Sequence, residues 1–276
     1  GLYMPTVICR SCGLIQTNPR MNQQSYARFY NCEYRKLYGG ESTPSTGFFS
    51  TQYRKGERIY SYLQDSQSLS RSKSEPFVVE VGCGAGGILY YFKERGCRVY
   101  GIDLGEEYVK FGVDKYGLDL SVGTIADVSL DTPADVVIYS HVLEHVLSPK
   151  EELMHVNRVL ACDGVVYFEM PGVKNLLNSY EMDFLRFLQN AHTYHFTLTT
   201  LGNLLETCGF QLIACVYRTN AIKKRKSDSM NSSVTSRSDY QAVIRYLRRV
   251  EQLRRLLPFP LYKLKRAPKL AMIEIL

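Results

Sequence analysis

The chain has 276 residues, of which 45% are hydrophobic, and a formal net charge of +7. That is enough for one full α/β domain with a small appendage, and no apolar run approaches the length of about eighteen residues that would suggest a membrane span. No N-terminal stretch reads as a secretory signal, and eight cysteines spread through the chain fit reduced thiols better than a disulfide framework, so a soluble, cytoplasmic protein is expected. The charge excess is local: residues 223–269 hold fourteen Lys or Arg against three acids, a net +11 that leaves the remainder near −4.

In chain order, residues 1–35 read as a separate module. Cys9-Arg-Ser-Cys12-Gly13 is a C-x-x-C knuckle, followed by a short strand and turn ending near Arg20. Tetrahedral zinc needs four ligands, and Cys9 and Cys12 supply two, with Cys32 a further candidate. Residues 36–75 are expected to form an aromatic linker and a helix. Tyr26–Ser50 is rich in aromatics and glycine without a clean period and reads as a lid-like linker, or as simple packing of tyrosines. Thr51–Leu63 is predicted helical, with Tyr53, Ile59, Tyr60 and Leu63 apolar, and Ser66–Glu75 is a Ser-rich boundary.

Residues 76–276 read as the main domain. Phe77, Val78, Val79 and Val81 suit a strand buried on both faces, and the run stops in a turn carrying Gly82, Gly84 and Gly86. Helical spacing resumes at Ile88, Leu89, Tyr91 and Phe92, which places the turn between a strand and a helix N-terminus, where backbone can approach a ligand. Gly82, Gly84 and Gly87 also satisfy the G-x-G-x-x-G of dinucleotide binding. Glu80, however, would add negative charge near a pyrophosphate and suits a cationic ligand better. A second strand, Arg98–Ile102, ends in Asp103, which can accept hydrogen bonds from both hydroxyls of a ribose. Beyond it we expect a helix over Glu106–Tyr116, strands over Leu118–Val122 and Ala134–Ser140, a helix over Lys150–Ala161 and a strand over Gly164–Glu169. A helix over Thr199–Cys208 and a sixth strand over Phe210–Tyr217 follow. This alternation specifies an α/β, doubly wound, Rossmann-like sheet with its ligand at the carboxyl ends of the strands.

The E-x-G-x-G-x-G string with Gly-Ile-Asp103 closely resembles the class I S-adenosylmethionine-dependent methyltransferases, whose cofactor carries a sulfonium and an ammonium and no phosphate. The resemblance implies a seven-stranded sheet whose last strand runs antiparallel between the fifth and sixth, here Leu270–Leu276. It thereby makes residues 219–269 a basic helical insertion. It assigns S-adenosylmethionine to Glu80, Gly82, Cys83, Gly84, Gly86, Asp103, Leu104, Asp127, Ser140 and His141. Asp127 stands where the family places a residue near the adenine; alternatively it only forms a turn. The Cys9–Arg20 string resembles the second half of the zinc ribbon that precedes many sugar-modifying methyltransferases, as though the chain began inside it, and structural zinc on Cys9 and Cys12 is the corresponding expectation. Asp135–Val146 looks like the branch containing sugar, polyketide and quinone methyltransferases, and Ser140-His141-Val142-Leu143 departs from the pattern of base N-methylation.

Asn190–Thr197 resembles the HxxHF segment of the zinc-ribbon methyltransferases, in which a histidine faces the substrate. Ala191 replaces the Glu typical of sugar C-methylation, which favours O-methylation of a sugar, nucleotide-sugar or glycan, free or lipid-linked. A hydroxyl acceptor needs a base, and histidine suits that near neutrality. His192 is the first choice, with His195, His145 and Tyr194 the others; each is equally readable as a hydrogen-bonded structural residue. Asp239 can cap a basic amphipathic helix to Leu257, which would pack on the domain, touch an anionic membrane surface, or bind RNA, the last with least support; residues 223–238 read as mobile. A small lipid or quinone-like acceptor is a further alternative. A nicotinamide-dependent sugar oxidoreductase or epimerase would call for a Y-x-x-x-K pair, and neither Tyr139 nor Tyr167 has a lysine four residues on.

Overall fold

The computed structural model describes residues 5–39, 43–69, 74–216, 220–225 and 237–256. The chain opens with a hairpin of β1 (Thr6–Ile8) and β2 (Ile15–Thr17), then α1 (Gln23–Arg28), a wide π-type turn over Phe29–Glu33, α2 (Tyr34–Gly39) and α3 (Thr46–Asp65). The alternating part follows as β3 (Phe77–Val81), α4 (Gly87–Lys93), β4 (Arg98–Asp103), α5 (Glu106–Tyr116), β5 (Leu120–Val122), β6 (Ala134–Ser140), α6 (Pro149–Val159) and β7 (Leu160–Glu169). Next come α7 (Phe184–Phe187), β8 (Tyr194–His195), α8 (Leu198–Thr207), β9 (Phe210–Val216), β10 (Asn220–Arg225) and α9 (Tyr240–Leu256).

Seven strands among the described residues form the main sheet, in the order β5-β4-β3-β6-β7-β10-β9. The first five are mutually parallel, and β10 runs antiparallel to both β7 and β9. The strand order therefore reverses between β3 and β6, and the crevice at the carboxyl ends of these two strands is where an open α/β sheet receives a ligand. Alternation along the strands feeds two cores. Val79, Val81, Val137, Tyr139, Val166 and Phe168 pack with Leu153, Val156, Leu201 and Leu205 on one face. Val78, Val136, Ile138, Val165 and Tyr167 pack with Ile59, Leu63, Ile88, Leu89 and Phe92 on the other. By the two-residue period of a strand, Glu80 shares the face of Val78.

Three expectations are corrected. The antiparallel position between the fifth parallel strand and β9 is filled by Asn220–Arg225, directly after β9, and not by Leu270–Leu276, which lies outside the described residues. Residues 219–269 are accordingly not an insertion ahead of that strand, and Lys223–Arg225 belong to it rather than to a mobile stretch. Residues 1–35 are not independent of the domain: β2 pairs with β8, so the knuckle hairpin forms a three-stranded sheet with the HxxHF segment. Ile15 is fully buried in a third cluster with Val173, Leu176, Phe187, Val243 and Val250, which also docks α9. Finally, the helix placed at Thr51–Leu63 begins at Thr46, because the Ser45 hydroxyl accepts from the Phe48 N–H at 3.1 Å and caps it.

Helix α3 lies unusually close to α4. A Cβ added to Gly56 would fall 2.8 Å from the Ile88 carbonyl oxygen and from Tyr91 Cβ, and one added to Gly87 would fall 2.7 Å from Gln52 Cβ. Glycine at both places is a packing requirement. Gly56→Ala should therefore cost stability despite the gain of up to about 1 kcal/mol in helix propensity, because overpacking costs about 1–3 kcal/mol. A melting temperature at or above that of the exposed control Glu57→Ala would contradict this packing.

Candidate functional site

A cavity of about 690 Å³ opens at the carboxyl ends of β3, β4 and β6. Glu80, Gly82, Cys83 and Gly84 line its floor, with Asp103, Leu104 and Gly105 on one side and Ser140, His141, Val142 and His145 on the other. Gly82 adopts φ +70°, and a Cβ there would overlap Val142 Cγ2 at 2.4 Å, so the β3 turn and the loop after β6 meet backbone against side chain. Gly86 is different. It is the left-handed N-cap of α4, faces Leu118 and Leu120, and is not among the lining residues, so of the three predicted glycines two face the cavity and one shapes the turn.

Asp103 gathers the loops around it. Its Oδ2 accepts from the Gly84 N–H at 2.8 Å and its Oδ1 from the Gly105 N–H at 2.7 Å. Arg35 Nη2 donates to Oδ1 and Oδ2 at 3.0 and 3.2 Å, while its guanidinium lies over the Tyr108 ring at 4.0 Å from the centroid. Glu80 is 2% exposed, and its Oε2 has no hydrogen-bond partner. Burial pushes its carboxyl well above the usual range; Lys55 opposes this and Asp103 adds to it.

Facing the loop after β6 is a row of four tyrosines, Tyr26, Tyr30, Tyr34 and Tyr38, all lining the cavity. Successive ring centroids are 4.4, 4.9 and 5.1 Å apart. This row lies within the stretch that we expected to be an aperiodic linker. Its spacing of four residues is the signal that locates it, since such residues share a helix face.

His141 is in the left-handed region at φ +59°, with its N–H donating to the Glu169 carbonyl at 2.7 Å. Its Nδ1 is 3.5 Å from Glu144 Oε1 and its Nε2 is 4.0 Å from Glu169 Oε1. Arg58 fixes Glu169 at 2.7 and 2.9 Å, and the Ser140 hydroxyl reaches Glu169 Oε2 at 3.4 Å. Arg35, Lys55 and the tyrosine row are thus cavity-lining residues that the sequence reading passed over, as are Glu144 and Glu169, which sit behind the lining beside His141.

Of the four expected bases, His145 alone lines the cavity. Its Nδ1 lies 2.8 Å from the Tyr30 hydroxyl and 3.0 Å from the Ala191 carbonyl oxygen. His192 is buried behind it, with ring centroids 4.7 Å apart and edge to face. His195 is 1% exposed, and neither of its ring nitrogens has a hydrogen-bond partner. Burial lowers the pKa of all three, to about 3 for His192 and about 4 for His195. Glu144, also buried, is carried below its ordinary value because the surrounding histidines outweigh its own burial. Tyr194 is withdrawn from the cavity: its hydroxyl donates to the Leu147 carbonyl at 3.1 Å and accepts from Arg20. Asp127 also stands apart, its carboxylate closing a capping box on the Thr124 N–H and hydroxyl at 2.9 and 2.8 Å; neighbouring Thr124 and Ala126 line the cavity instead.

Cys9 and Cys12 occupy the turn of the N-terminal hairpin, where Gly13 N–H donates to Cys9 O and Cys9 N–H to Leu14 O, both at 2.8 Å. Hydrogen bonding from Ser11, whose hydroxyl lies 3.0 Å from Cys9 Sγ, lowers the Cys9 thiol to about 7. Among the described residues no third His, Cys, Asp or Glu joins these two thiols, and Cys32 is exposed elsewhere. Among the described residues, the one group of three or more such side chains is Glu144, His145 and His192.

The Asp239 carboxylate, the expected cap of α9, is spent on Lys174 Nζ at 2.8 Å, and it is the Asp239 carbonyl that accepts from the Val243 N–H. No helix among the described residues is long and apolar enough to cross a membrane.

Residues 54–214 match the family described as "Methyltransferase domain". An uncharacterized methyltransferase of Staphylococcus carnosus is 26% identical over 132 residues, 46% of this chain and 61% of that protein. The C-methyltransferase NovU of Streptomyces niveus is 27% identical over 141 residues, 49% of this chain and 33% of its own length. The chain thus spans 61% and 33% of these two relatives. Magnesium protoporphyrin IX methyltransferase of Synechocystis PCC 6803, solved with bound SAH, superposes with a TM-score of 0.50 at 15% identity, covering 75% of this chain and all of that one. That likeness is one of fold, and together with a family match over more than half of the sequence it establishes that the chain belongs to the methyltransferase domain family.

Proposed function

We propose that this protein transfers the methyl group of S-adenosylmethionine to a hydroxyl of a sugar, nucleotide-sugar or glycan. The observation that carries the reading is one cavity with two chemically different ends. At one end the buried Glu80 carboxyl, its Oε2 unpartnered, stands beside glycine backbone and Asp103; at the other, tyrosine rings line the cavity together with His141 and His145.

The first end fits the cofactor. Glu80 Oε2 lacks a hydrogen-bond donor, which an ammonium-bearing ligand supplies, whereas a pyrophosphate would be repelled by the ionised group. Asp103 offers carboxylate oxygens for hydroxyls once Arg35 gives way. The bound cofactor supplies a methyl on a sulfonium, which departs as a neutral thioether, so the protein has only to align the acceptor and take its proton.

At the other end, tyrosines present apolar faces and hydroxyls together, which suits the mixed surface of a sugar ring. Among the histidines, His141 is the one placed to receive the acceptor proton: it opens on the cavity and lies between the Glu144 and Glu169 carboxylates, which favour the imidazolium it would become. His192, expected in that role, stands behind His145. Ala191 offers no side-chain carboxylate where C-methylation would call for one, and its carbonyl is engaged by Tyr30 and His145. An anionic group on the acceptor would meet Arg35, which lines the cavity, rather than α9, which does not. The exposed arginines of α9, Arg245, Arg248 and Arg249, remain a candidate contact for an anionic membrane surface, and structural zinc at the Cys9 knuckle would need ligands beyond the described residues.

Two measurements test the reading. Calorimetric titration with S-adenosylhomocysteine should show micromolar binding, weakened about 10- to 100-fold in Asp103→Ala, as expected for loss of charge-assisted hydrogen bonds; binding of NADH in its place would overturn the cofactor assignment. His141→Ala should lower kcat by about 10²–10⁴ while leaving S-adenosylhomocysteine affinity within a few-fold. An unchanged kcat on the acceptor found by screening would remove His141 from the chemistry.

A further inference from the structure

We propose that Glu144, His145 and His192 bind a divalent metal ion of the zinc type, behind the acceptor wall of the cavity. Each offers one ligand atom, and these atoms all lie within 4.8 Å of one another on three buried side chains. His145 Nε2 and Glu144 Oε1 are 3.9 Å apart. Zinc holds imidazole nitrogen and carboxylate oxygen at about 2.0–2.2 Å, so small side-chain rotations would close the set around one ion.

The hydrogen bonding around the group leaves electron pairs facing one another. His145 Nδ1 lies 3.0 Å from the Ala191 carbonyl, which can only accept, so the ring is assigned its proton at Nδ1 and presents a bare Nε2 to the carboxylate. A histidine whose second nitrogen is spent on a backbone carbonyl is the usual orientation of a metal ligand. Glu144 is 2% exposed, and its oxygens make no well-aligned hydrogen bond, His141 Nδ1 lying 3.5 Å from Oε1. His195, with both ring nitrogens unpartnered and its centroid 5.8 Å from that of His192, is the candidate fourth ligand. Two imidazoles and a carboxylate suit zinc, cobalt or iron better than magnesium or calcium.

Glu144 and His192 do not line the cavity, so the ion would position rather than react. The Glu144 carbonyl already accepts from the Thr193 and Tyr194 N–H groups at 2.9 and 3.0 Å. A metal here would lock the loop carrying His141 to the segment 190–195. Glu144 is shared with the proposed methyl-transfer site; with it engaged by an ion, His141 keeps Glu169 as its carboxylate neighbour.

The test is equilibrium dialysis of chelator-treated full-length protein against Zn²⁺ or Co²⁺, with Co²⁺ absorption as the signature of ligand type. We expect one equivalent per chain, a rise in Tm on Zn²⁺ addition, and at least tenfold weaker binding with loss of the Tm rise in Glu144→Gln and in His192→Ala. Cys9→Ser/Cys12→Ser should keep the equivalent and its spectrum. S-adenosylhomocysteine affinity, measured on each variant, reports folding and tests the cofactor site separately. Failure to retain metal, retention undiminished in Glu144→Gln, or loss in the cysteine variant alone would overturn the proposal, whatever the outcome of the cofactor titration.

Discussion

The Asp103 carboxylate is the point through which the site is assembled. It stands at the end of β4 because Val99 and Ile102 are drawn into the sheet's two cores, and it accepts from Gly84 in the β3 turn, from Gly105 at the head of α5 and from Arg35 of α2. One charged group thus ties three segments that are far apart in sequence. Charge-assisted bonds to backbone N–H groups are among the stronger hydrogen bonds available, and at 7% exposure they are little screened by water. In the proposed reading, a ribose on the same oxygens competes with Arg35, which lies next to Tyr34 of the tyrosine row.

The wall beside His141 depends on the backbone of a second buried acidic residue. Glu144 follows β6, and its carbonyl stitches the loop to β8, which in turn pairs with the N-terminal hairpin. The knuckle is therefore continuous with the wall behind His141, which gives the N-terminal module a physical connection to the site: Thr17 donates from its hydroxyl to the His192 carbonyl at 3.2 Å.

Much of this was legible from residues alone where burial on both faces dictates the pattern. The limits of β3 and β6 follow from apolar runs interrupted only by Glu80 in the first and Asp135 in the second, and α5 is bracketed by Gly105 and a left-handed Gly117. What escaped did so for identifiable reasons. Tyr26, Tyr30, Tyr34 and Tyr38 keep a helical spacing, but the π-type turn at Phe29–Glu33 and the scattered polar residues hide it. β10 carries Lys223, Lys224 and Arg225, whose charge argues against a strand until the backbone pairing with β7 and β9 is seen. β8 is two residues long and has no period of its own. Burial of Glu144 and the retreat of His192 and Tyr194 behind the wall are properties of tertiary packing, whereas the turn-forming role of Asp127 was already readable as its alternative.

In the proposed reading, the crevice between β3 and β6 holds the cofactor on Glu80, the β3 turn and Asp103. A crystal structure of the protein with S-adenosylhomocysteine tests it most directly. The nucleoside is expected between the Gly82–Gly84 backbone and Asp103, with ribose hydroxyls on the carboxylate, the amino group toward Glu80, and Arg35 withdrawn from at least one Asp103 oxygen. Ligand bound elsewhere, or an intact Arg35–Asp103 pair at saturating ligand, would contradict it.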